Sequence, residues 1–124
     1  MSLLLDTRTL LWWLAGDPIE AEAADRISDP GVLVAVSAVS VWEIAIKASL
    51  GKLRAEGSMV EHVAAAGFES LPISLSHAER AGGLPPHHRD PFDRMLVAQT
   101  QLEQLTLVTR DPAFQDYEVD VLAC

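Results

Sequence analysis

The segment GVLVAVSAVSVWEIAIKASLGKL, residues 31–53, decides the fold class of this chain. Its first part, 31–40, is apolar and rich in valine, which predicts a buried strand. Its second part, 41–53, has helical spacing and a plausible stop at Gly51. A strand that is apolar throughout and leads directly into a helix is typical of a parallel sheet, because such sheets are covered by helices on both faces.

The same alternation extends in both directions along the chain. Each apolar strand is followed by one or more helical segments, which predicts an α/β fold with a three-layer α/β/α arrangement. Further strands are predicted at 2–6, 68–73, 106–109 and 119–123, and further helices at 7–15, 18–28, 58–67, 74–84 and 91–105. Pro18 is expected near the first position of the second helix.

Length and composition set limits on function. The 124 residues fit a single domain, 1–124, and the net charge of −9 argues against a broad basic surface for nucleic acid. No apolar run is long enough to cross a bilayer, and MSLLLD lacks the basic start of a signal peptide. The single cysteine, Cys124, can form no internal disulfide, so we expect a reducing, cytoplasmic location and no membrane partner.

Four acidic residues stand beside the ends of predicted strands. Asp6 ends the first strand and Asp111 follows the strand TLVT. Glu43 begins the helix after the valine-rich strand, and Asp93 begins the helix before TLVT. Because parallel strands end at a common edge, where helices also begin, we expect these four carboxylates to converge.

Helix capping offers a simpler explanation for each acid taken alone. Ser40 and Glu43 fit a capping box, Asp90 fits an N-cap before a first-turn proline, and Asp6 and Asp111 fit caps or turns. Capping does not require a shared edge, however, and two carboxylates 4 Å apart repel by roughly 4 kcal/mol at an effective dielectric of ~20. A bound Mg²⁺ or Mn²⁺ relieves such repulsion, and both ions prefer oxygen ligands.

Four sequence pieces together resemble the PIN-domain ribonucleases, specifically the VapC-type toxins of bacterial toxin–antitoxin pairs. The pieces are LLLDTRTLLWWL, VSAVSVWEIAIKASLGKL, HHRDPFDRMLVAQ and LTLVTRD, and they span essentially the whole chain. The resemblance implies a PIN-like fold with a mostly parallel sheet of about five strands. It also implies a Mg²⁺- or Mn²⁺-dependent endoribonuclease in which a metal-activated water hydrolyses RNA and leaves a 5′-phosphate.

The resemblance assigns roles to individual residues. The metal and catalytic acids of the family match Asp6, Glu43, Asp93 and Asp111, whereas Asp90 either joins the ligands or only caps its helix. Thr7 and Thr109 match hydroxyl positions beside the site, and we group them with the substrate-binding residues. Ala113 stands where many relatives carry a further acid, which weakens any second metal site. A VapB-type antitoxin that blocks the acidic site and a homodimer complete the implied partners.

Basic and aromatic residues near the acids give weaker signals. Arg89, Arg94 and Arg110 are predicted to hold substrate phosphates, or else only to balance the neighbouring acids. Lys47 follows Glu43 by four residues, which favours an ion pair that orients it. Trp12 and Trp13 are adjacent and cannot share one helical face, so we expect one of them to contact a partner. Two adjacent histidines, His87 and His88, are expected to be exposed loop residues.

Other functional classes can be tested against single positions. A receiver module needs an adjacent acid pair after strand one and a later lysine, but Thr7 follows Asp6 and no lysine occurs after Lys52. A haloacid-dehalogenase phosphatase needs a second aspartate two residues after the first, where Arg8 stands. A PIN-fold module that binds a protein or RNA without cleaving it remains the open alternative.

Overall fold

A computed structural model describes all residues, 1–124, and contains one five-stranded sheet. Every pairing in the sheet is parallel, and the strand order is β3-β2-β1-β4-β5. The predicted parallel α/β architecture is therefore confirmed. The strands are β1 (Ser2–Leu5), β2 (Leu33–Ser37), β3 (Glu69–Leu71), β4 (Thr106–Thr109) and β5 (Asp120–Ala123).

Six α-helices and one 3₁₀ turn connect the strands. The helices are α1 (Thr7–Ala15), α2 (Ala21–Ser28), α3 (Ala38–Ser49), α4 (Met59–Ala65), α5 (Leu75–Gly83) and α6 (Pro91–Leu102), and the 3₁₀ turn spans Pro112–Asp116. No helix combines the length and the apolar character needed to span a membrane. Gly51 follows α3 with a φ of 72°, a left-handed conformation that suits the expected helix stop.

The core has two halves, one on each face of the sheet. Alternate residues of a strand point to opposite faces, so Leu3 and Leu5 of β1 lie in one half and Leu4 lies in the other. The first half contains apolar residues of α1, α2 and α4, and the second half contains those of α6 and the 3₁₀ turn. Helices therefore cover both faces, which gives the predicted three layers.

Two helices begin three residues away from their predicted first residue. Helix α3 begins at Ala38, and its N-cap is Ser37, which accepts a hydrogen bond from the Val39 amide. The expected capping box of Ser40 and Glu43 is wrong, because β-branched valines continue from the strand into the helix and conceal the boundary. Helix α2 begins at Ala21, not at Pro18, because the Glu20 amide donates to the carbonyl of Cys124 beyond the end of β5.

The position of β1 in the sheet determines where a ligand can bind. β1 pairs with β2 on one side and with β4 on the other. The chain runs outward from β1 through β2 to β3, then returns to β4 and runs outward to β5 in the opposite direction. In open parallel sheets, ligands bind beside the carboxyl ends of the strands at such a point. Asp6 follows β1 directly and Asp111 lies two residues beyond β4.

Candidate metal centre

Asp6 is held in a fixed orientation at the end of β1. Its Oδ1 accepts a hydrogen bond of 2.8 Å from the amide of Thr9, which makes it the N-cap of α1. Its Oδ2 accepts a hydrogen bond of 2.5 Å from the hydroxyl group of Thr109, on the neighbouring strand. The carboxylate is buried, with 7 % of the residue exposed. The expected capping role of Asp6 is present, and it leaves the carboxylate at the carboxyl edge of the sheet.

Glu43 reaches the same edge from the second turn of α3. Its Oε1 accepts a hydrogen bond of 2.7 Å from the hydroxyl group of Thr7, and this hydroxyl oxygen also lies 3.0 Å from that of Ser40. Its Oε2 lies 2.5 Å from the ammonium group of Lys47, in the predicted ion pair. Only 6 % of Glu43 is exposed, and its carboxyl group is held by Lys47 and by the hydroxyl group of Thr7.

Asp90 and Asp93 take different positions at the start of α6. Asp90 is the N-cap, and its Oδ1 accepts hydrogen bonds from the amides of Phe92 and Asp93 at 2.8 and 3.3 Å. Pro91 occupies the first helical turn, where its missing N–H costs nothing. The side chain of Asp93 is 22 % exposed, and its carboxylate lies near the other acids.

The pKa of Asp93 is raised because the other acids lie near its carboxyl group. Burial raises it first, and the negative charges of Asp90, Glu43, Asp6 and Asp111 raise it further, from 3.8 to about 7. All four other acids therefore lie close enough to act on one carboxyl group. Such a group binds a proton at neutral pH unless another cation takes its place.

Asp111 lies beyond β4 and is the most exposed of these acids. Its Oδ1 accepts a hydrogen bond from the amide of Ala113 at 2.9 Å and caps the 3₁₀ turn, whereas 47 % of its side chain is exposed. Its amide donates to the hydroxyl oxygen of Thr109 at 3.0 Å. Thr109 therefore connects Asp111 to Asp6.

The hydroxyl groups of Thr7 and Thr109 donate hydrogen bonds directly to two of the acids. Thr7 and Thr109, which we grouped with the substrate-binding residues on sequence, are buried and hydrogen-bonded to Glu43 and Asp6. Each carboxylate can rotate only by breaking its hydroxyl contact. We therefore assign both threonines to positioning the acids.

His88 belongs to this cluster, although it was expected to be exposed. Its Nε2 lies 3.2 Å from Oδ2 of Asp93 and 4.0 Å from Oδ2 of Asp111. One side-chain atom from each of these three residues falls within 4.8 Å of the others, a grouping able to hold a metal ion. His88 lies two residues before Asp90 in the sequence. Because a loop has no regular side-chain periodicity, the sequence could not indicate that the His88 side chain is directed at the acids. Its neighbour His87 is exposed, as predicted, with its ring against Tyr117.

Arg94 has a structural role that the sequence did not reveal. Its guanidinium group donates hydrogen bonds to the backbone carbonyls of five residues in and around the loop between α5 and α6. These carbonyls belong to Ala81, Gly82, Leu84, Pro85 and His88. Because its donors are used inside the protein, we replace the phosphate-binding interpretation of Arg94 with a role in ordering this loop.

Arg110 lies beside the acids but is already in contact with protein groups. Its guanidinium carbon lies 3.9 Å from the centroid of the Trp12 ring, and it donates to the carbonyls of Cys124 and Pro18. A cleft of about 350 Å³ lined by Arg110, Trp12, Asp6 and Asp111 opens here. A cationic wall next to carboxylates is suited to a phosphate group that approaches a metal ion. Two further arginines, Arg8 and Arg89, are exposed.

The donor set fits a divalent cation. Clustered carboxylates with one strongly raised pKa carry more negative charge than Lys47 balances, and a buried nitrogen of His88 has no hydrogen-bond partner. Carboxylate oxygens are the ligands that Mg²⁺ and Mn²⁺ prefer. The arrangement can therefore bind a divalent metal ion at the carboxyl edge of β1 and β4.

Comparisons with known proteins agree with the fold. The family model described as PIN domain matches residues 3–120. Among solved structures, VapBC2 from Rickettsia felis bound to a promoter DNA fragment aligns with a TM-score of 0.72 and 14% identity, covering 100% of this chain and 99% of that chain. A toxin–antitoxin complex from Klebsiella pneumoniae aligns with a TM-score of 0.67 and 24% identity, covering 97% and 95%. VapBC-5 from Mycobacterium tuberculosis aligns with a TM-score of 0.61 and 19% identity, covering 98% and 96%. No curated protein matches the sequence.

Proposed function

Because the chain belongs to the PIN domain family, we propose that it is a VapC-type toxin, an endoribonuclease that depends on Mg²⁺ or Mn²⁺. The convergence of Asp6, Glu43 and Asp111 on the carboxyl group of Asp93 carries the proposal. Structural neighbours described as toxin–antitoxin complexes support the toxin assignment. The four acids, with Asp90 capping the helix that presents Asp93, are the proposed metal and catalytic residues.

The residues divide the work of hydrolysis among them. A divalent cation held by these acids would polarise a phosphoryl oxygen of the substrate and activate a water for attack on phosphorus. Asp6 and Asp93 present carboxylate oxygens at the edge of β1, and Thr109 fixes the rotation of Asp6. Glu43 is fixed by Lys47 and Thr7, so its charge remains at the site without side-chain rearrangement. Cleavage is expected to leave a 5′-phosphate.

The proposed substrate is RNA, approached along the cleft beside Asp111. Arg110 forms one wall of the cleft, and the exposed Arg89 stands one residue before the cap of α6. Both are proposed to bind phosphate groups that flank the cleaved bond. The chain has few basic residues and a net charge of −9, so we expect its electrostatic attraction for RNA to be confined to the basic side chains at the cleft.

A VapB-type antitoxin is the proposed protein partner. Helix α1 presents Leu11, Trp12 and Leu14 to a cleft of about 490 Å³, whose other apolar side chains include Leu53 and Met59. This cleft can receive an apolar helix face. Arg110 and Trp12 connect it to the acidic site, where a basic partner side chain could pair with the carboxylates.

A homodimer in the cytoplasm completes the proposal. The resemblance to VapC-type toxins supports the homodimer, and the apolar side chain of Leu75 on α5, which is 92% exposed, is suited to contact with a second copy. The mass measured by light scattering after size exclusion tests the dimer. A monomer at micromolar concentrations would exclude it.

Metal-dependent cleavage of RNA tests the proposed function. The parent protein should cut members of a structured RNA panel with Mg²⁺ or Mn²⁺ and lose activity in EDTA. Asp6→Asn keeps a good N-cap but removes the charge, so it should fold and lose at least about 100-fold in rate. The matched control is Asp25→Asn, an exposed acid on α2, which should retain parental activity. A pure, folded parent that binds RNA without cutting it would show the non-cleaving alternative.

A further inference from the structure

The loop between α5 and α6 directs a histidine ring at the acidic cluster. Nε2 of His88 has no hydrogen-bond partner and is shielded from solvent, although 20% of the side chain is exposed. It lies 3.2 Å from Asp93 Oδ2 and 4.0 Å from Asp111 Oδ2. A buried nitrogen without a hydrogen bond requires an explanation, because such atoms usually have a partner.

The position of His88 is fixed from several sides. Its amide donates to the hydroxyl oxygen of Tyr117 at 2.8 Å, and its carbonyl accepts from the guanidinium of Arg94 at 3.2 Å. Its ring packs against that of Phe114, with 5.9 Å between centroids. Tyr117 in turn donates to the carbonyl of Pro85 at 2.8 Å. These contacts hold both the backbone and the ring of His88 beside the acids.

The two separations from Nε2 of His88 are close to those between ligand atoms around one ion. In an octahedral site with ligand distances of ~2.1 Å, neighbouring ligand atoms lie roughly 3 Å apart and opposite ones roughly 4.2 Å apart. The observed separations from Nε2, 3.2 and 4.0 Å, fall in this range. Asp111 is exposed, so water or substrate can reach the site from its side.

We propose that Nε2 of His88 is a direct ligand of the divalent cation, together with Asp93 and Asp111. The proposal rests on the proposed metal-dependent function and adds a nitrogen to a set of oxygen ligands. Imidazole is a good ligand for transition metals and a poor one for Mg²⁺. The site therefore selects Mn²⁺ over Mg²⁺, and His88 is the residue responsible for that selectivity.

Mn²⁺ itself is the probe for this ligand. In electron spin-echo spectra of the full-length protein with Mn²⁺, a directly bound imidazole gives a ¹⁴N coupling, which changes to a ¹⁵N pattern when histidine is labelled with ¹⁵N. We expect both signals in the parent. Mn²⁺ bound without a nitrogen coupling would overturn the proposal, and this reading does not depend on any variant folding.

Two neighbouring histidines provide a matched pair of variants. His88→Gln should lose the nitrogen coupling and weaken Mn²⁺ binding by at least about tenfold, while Mg²⁺ binding changes far less. His87→Gln, whose parent side chain is exposed, should retain both properties. A coupling that persists in His88→Gln would also overturn the proposal.

Failure of the ligand proposal can be distinguished from failure of the proposed function. If Mn²⁺ supports RNA cleavage and binds without nitrogen coupling, only the role of His88 is wrong. If Mn²⁺ binds the parent no better than it binds Asp93→Asn, which lacks a ligand common to both proposals, the metal site itself is wrong and both proposals fail.

Discussion

Thr109 donates its hydroxyl hydrogen to Oδ2 of Asp6 across 2.5 Å and so joins the end of β4 to the end of β1. The hydroxyl oxygen of Thr109 also accepts the amide hydrogen of Asp111 at 3.0 Å. One buried hydroxyl group therefore sets the relative positions of two proposed metal-binding carboxylates.

Replacing Thr109 tests this positioning role. Thr109→Val keeps the shape but removes the hydroxyl group, so Asp6 can rotate and metal affinity should fall by about 10–100-fold. Thr109→Ser keeps the hydrogen bond and should restore most of the affinity. Calorimetric titration with Mn²⁺ measures the metal affinity of both variants. Equal affinity in the valine variant and the parent would show that Asp6 needs no such support.

The two aspartates at the start of α6 should respond differently to the same substitution. Asp90→Asn keeps an N-cap for the amides of Phe92 and Asp93, so we expect activity within a few-fold of the parent. Asp93→Asn removes a charge from the centre of the cluster and should lower the cleavage rate at least about 100-fold. Cleavage rates at saturating Mn²⁺ compare the two variants. Equal losses in both would make Asp90 a metal ligand as well as a cap.

The raised pKa of Asp93 predicts how stability depends on pH without metal. Its pKa is about 7 in the folded protein and 3.8 when unperturbed, so between these values the folded state holds a proton that the unfolded state lacks. This contribution to stability is complete below pH 3.8 and is lost as the pH rises through about 7. Because the side chain is partly exposed, we expect the loss to be on the order of 1–2 kcal/mol.

Urea unfolding in EDTA measures this loss. The free energy of unfolding of the parent relative to Asp93→Asn should decrease from about pH 5 to about pH 8, because the variant cannot titrate at this position. Saturating Mn²⁺ should abolish the decrease, since the cation replaces the proton. A pH-independent difference in EDTA would mean that the acids do not interact as closely as the structure indicates.

The sequence predicted the sheet more accurately than it predicted the site. Apolar strands such as β1 and β4 are buried on both faces, and this leaves a clear compositional signal. The first turn of α3 gave no such signal, because Val39 and Val41 suit a strand as well as a helix. Asp6 and Asp111 could be placed from strand ends alone.

The residues whose contacts the sequence did not reveal are held by groups distant in the chain. Arg94 meets carbonyls of a loop up to 13 residues away, and Thr109 meets Asp6 across 103 residues. His88 lies in a loop whose direction depends on Tyr117, 29 residues further on. Local pattern carries no information about such contacts, so only the assembled fold could reveal them.

Arg94 should be essential for the order of the loop that presents His88. Arg94→Lys keeps the charge but cannot reach five carbonyls, so we expect a loss of about 2–4 kcal/mol in the free energy of unfolding. Arg89→Lys, at an exposed position in the same segment, should change stability by less than about 0.5 kcal/mol. Chemical denaturation distinguishes the two. A stable Arg94→Lys variant that has lost phosphate affinity would return Arg94 to substrate binding.

Trp12 should be the tryptophan of α1 that contacts the antitoxin. It lies between the apolar cleft of α1 and the acidic site, with Arg110 over its ring, whereas Trp13 packs towards α2 and the first half of the core. Trp12→Ala should weaken binding of the purified antitoxin by at least about 30-fold, the loss typical of an interface hot spot. Trp42→Ala, at an exposed tryptophan on α3, is the matched control and should bind as the parent does.

If a basic antitoxin side chain occupies the acidic site, raising Mn²⁺ should weaken inhibition of cleavage, because the cation and the side chain compete for the same carboxylates. Parental affinity in Trp12→Ala, together with inhibition that ignores Mn²⁺, would place the antitoxin on another surface.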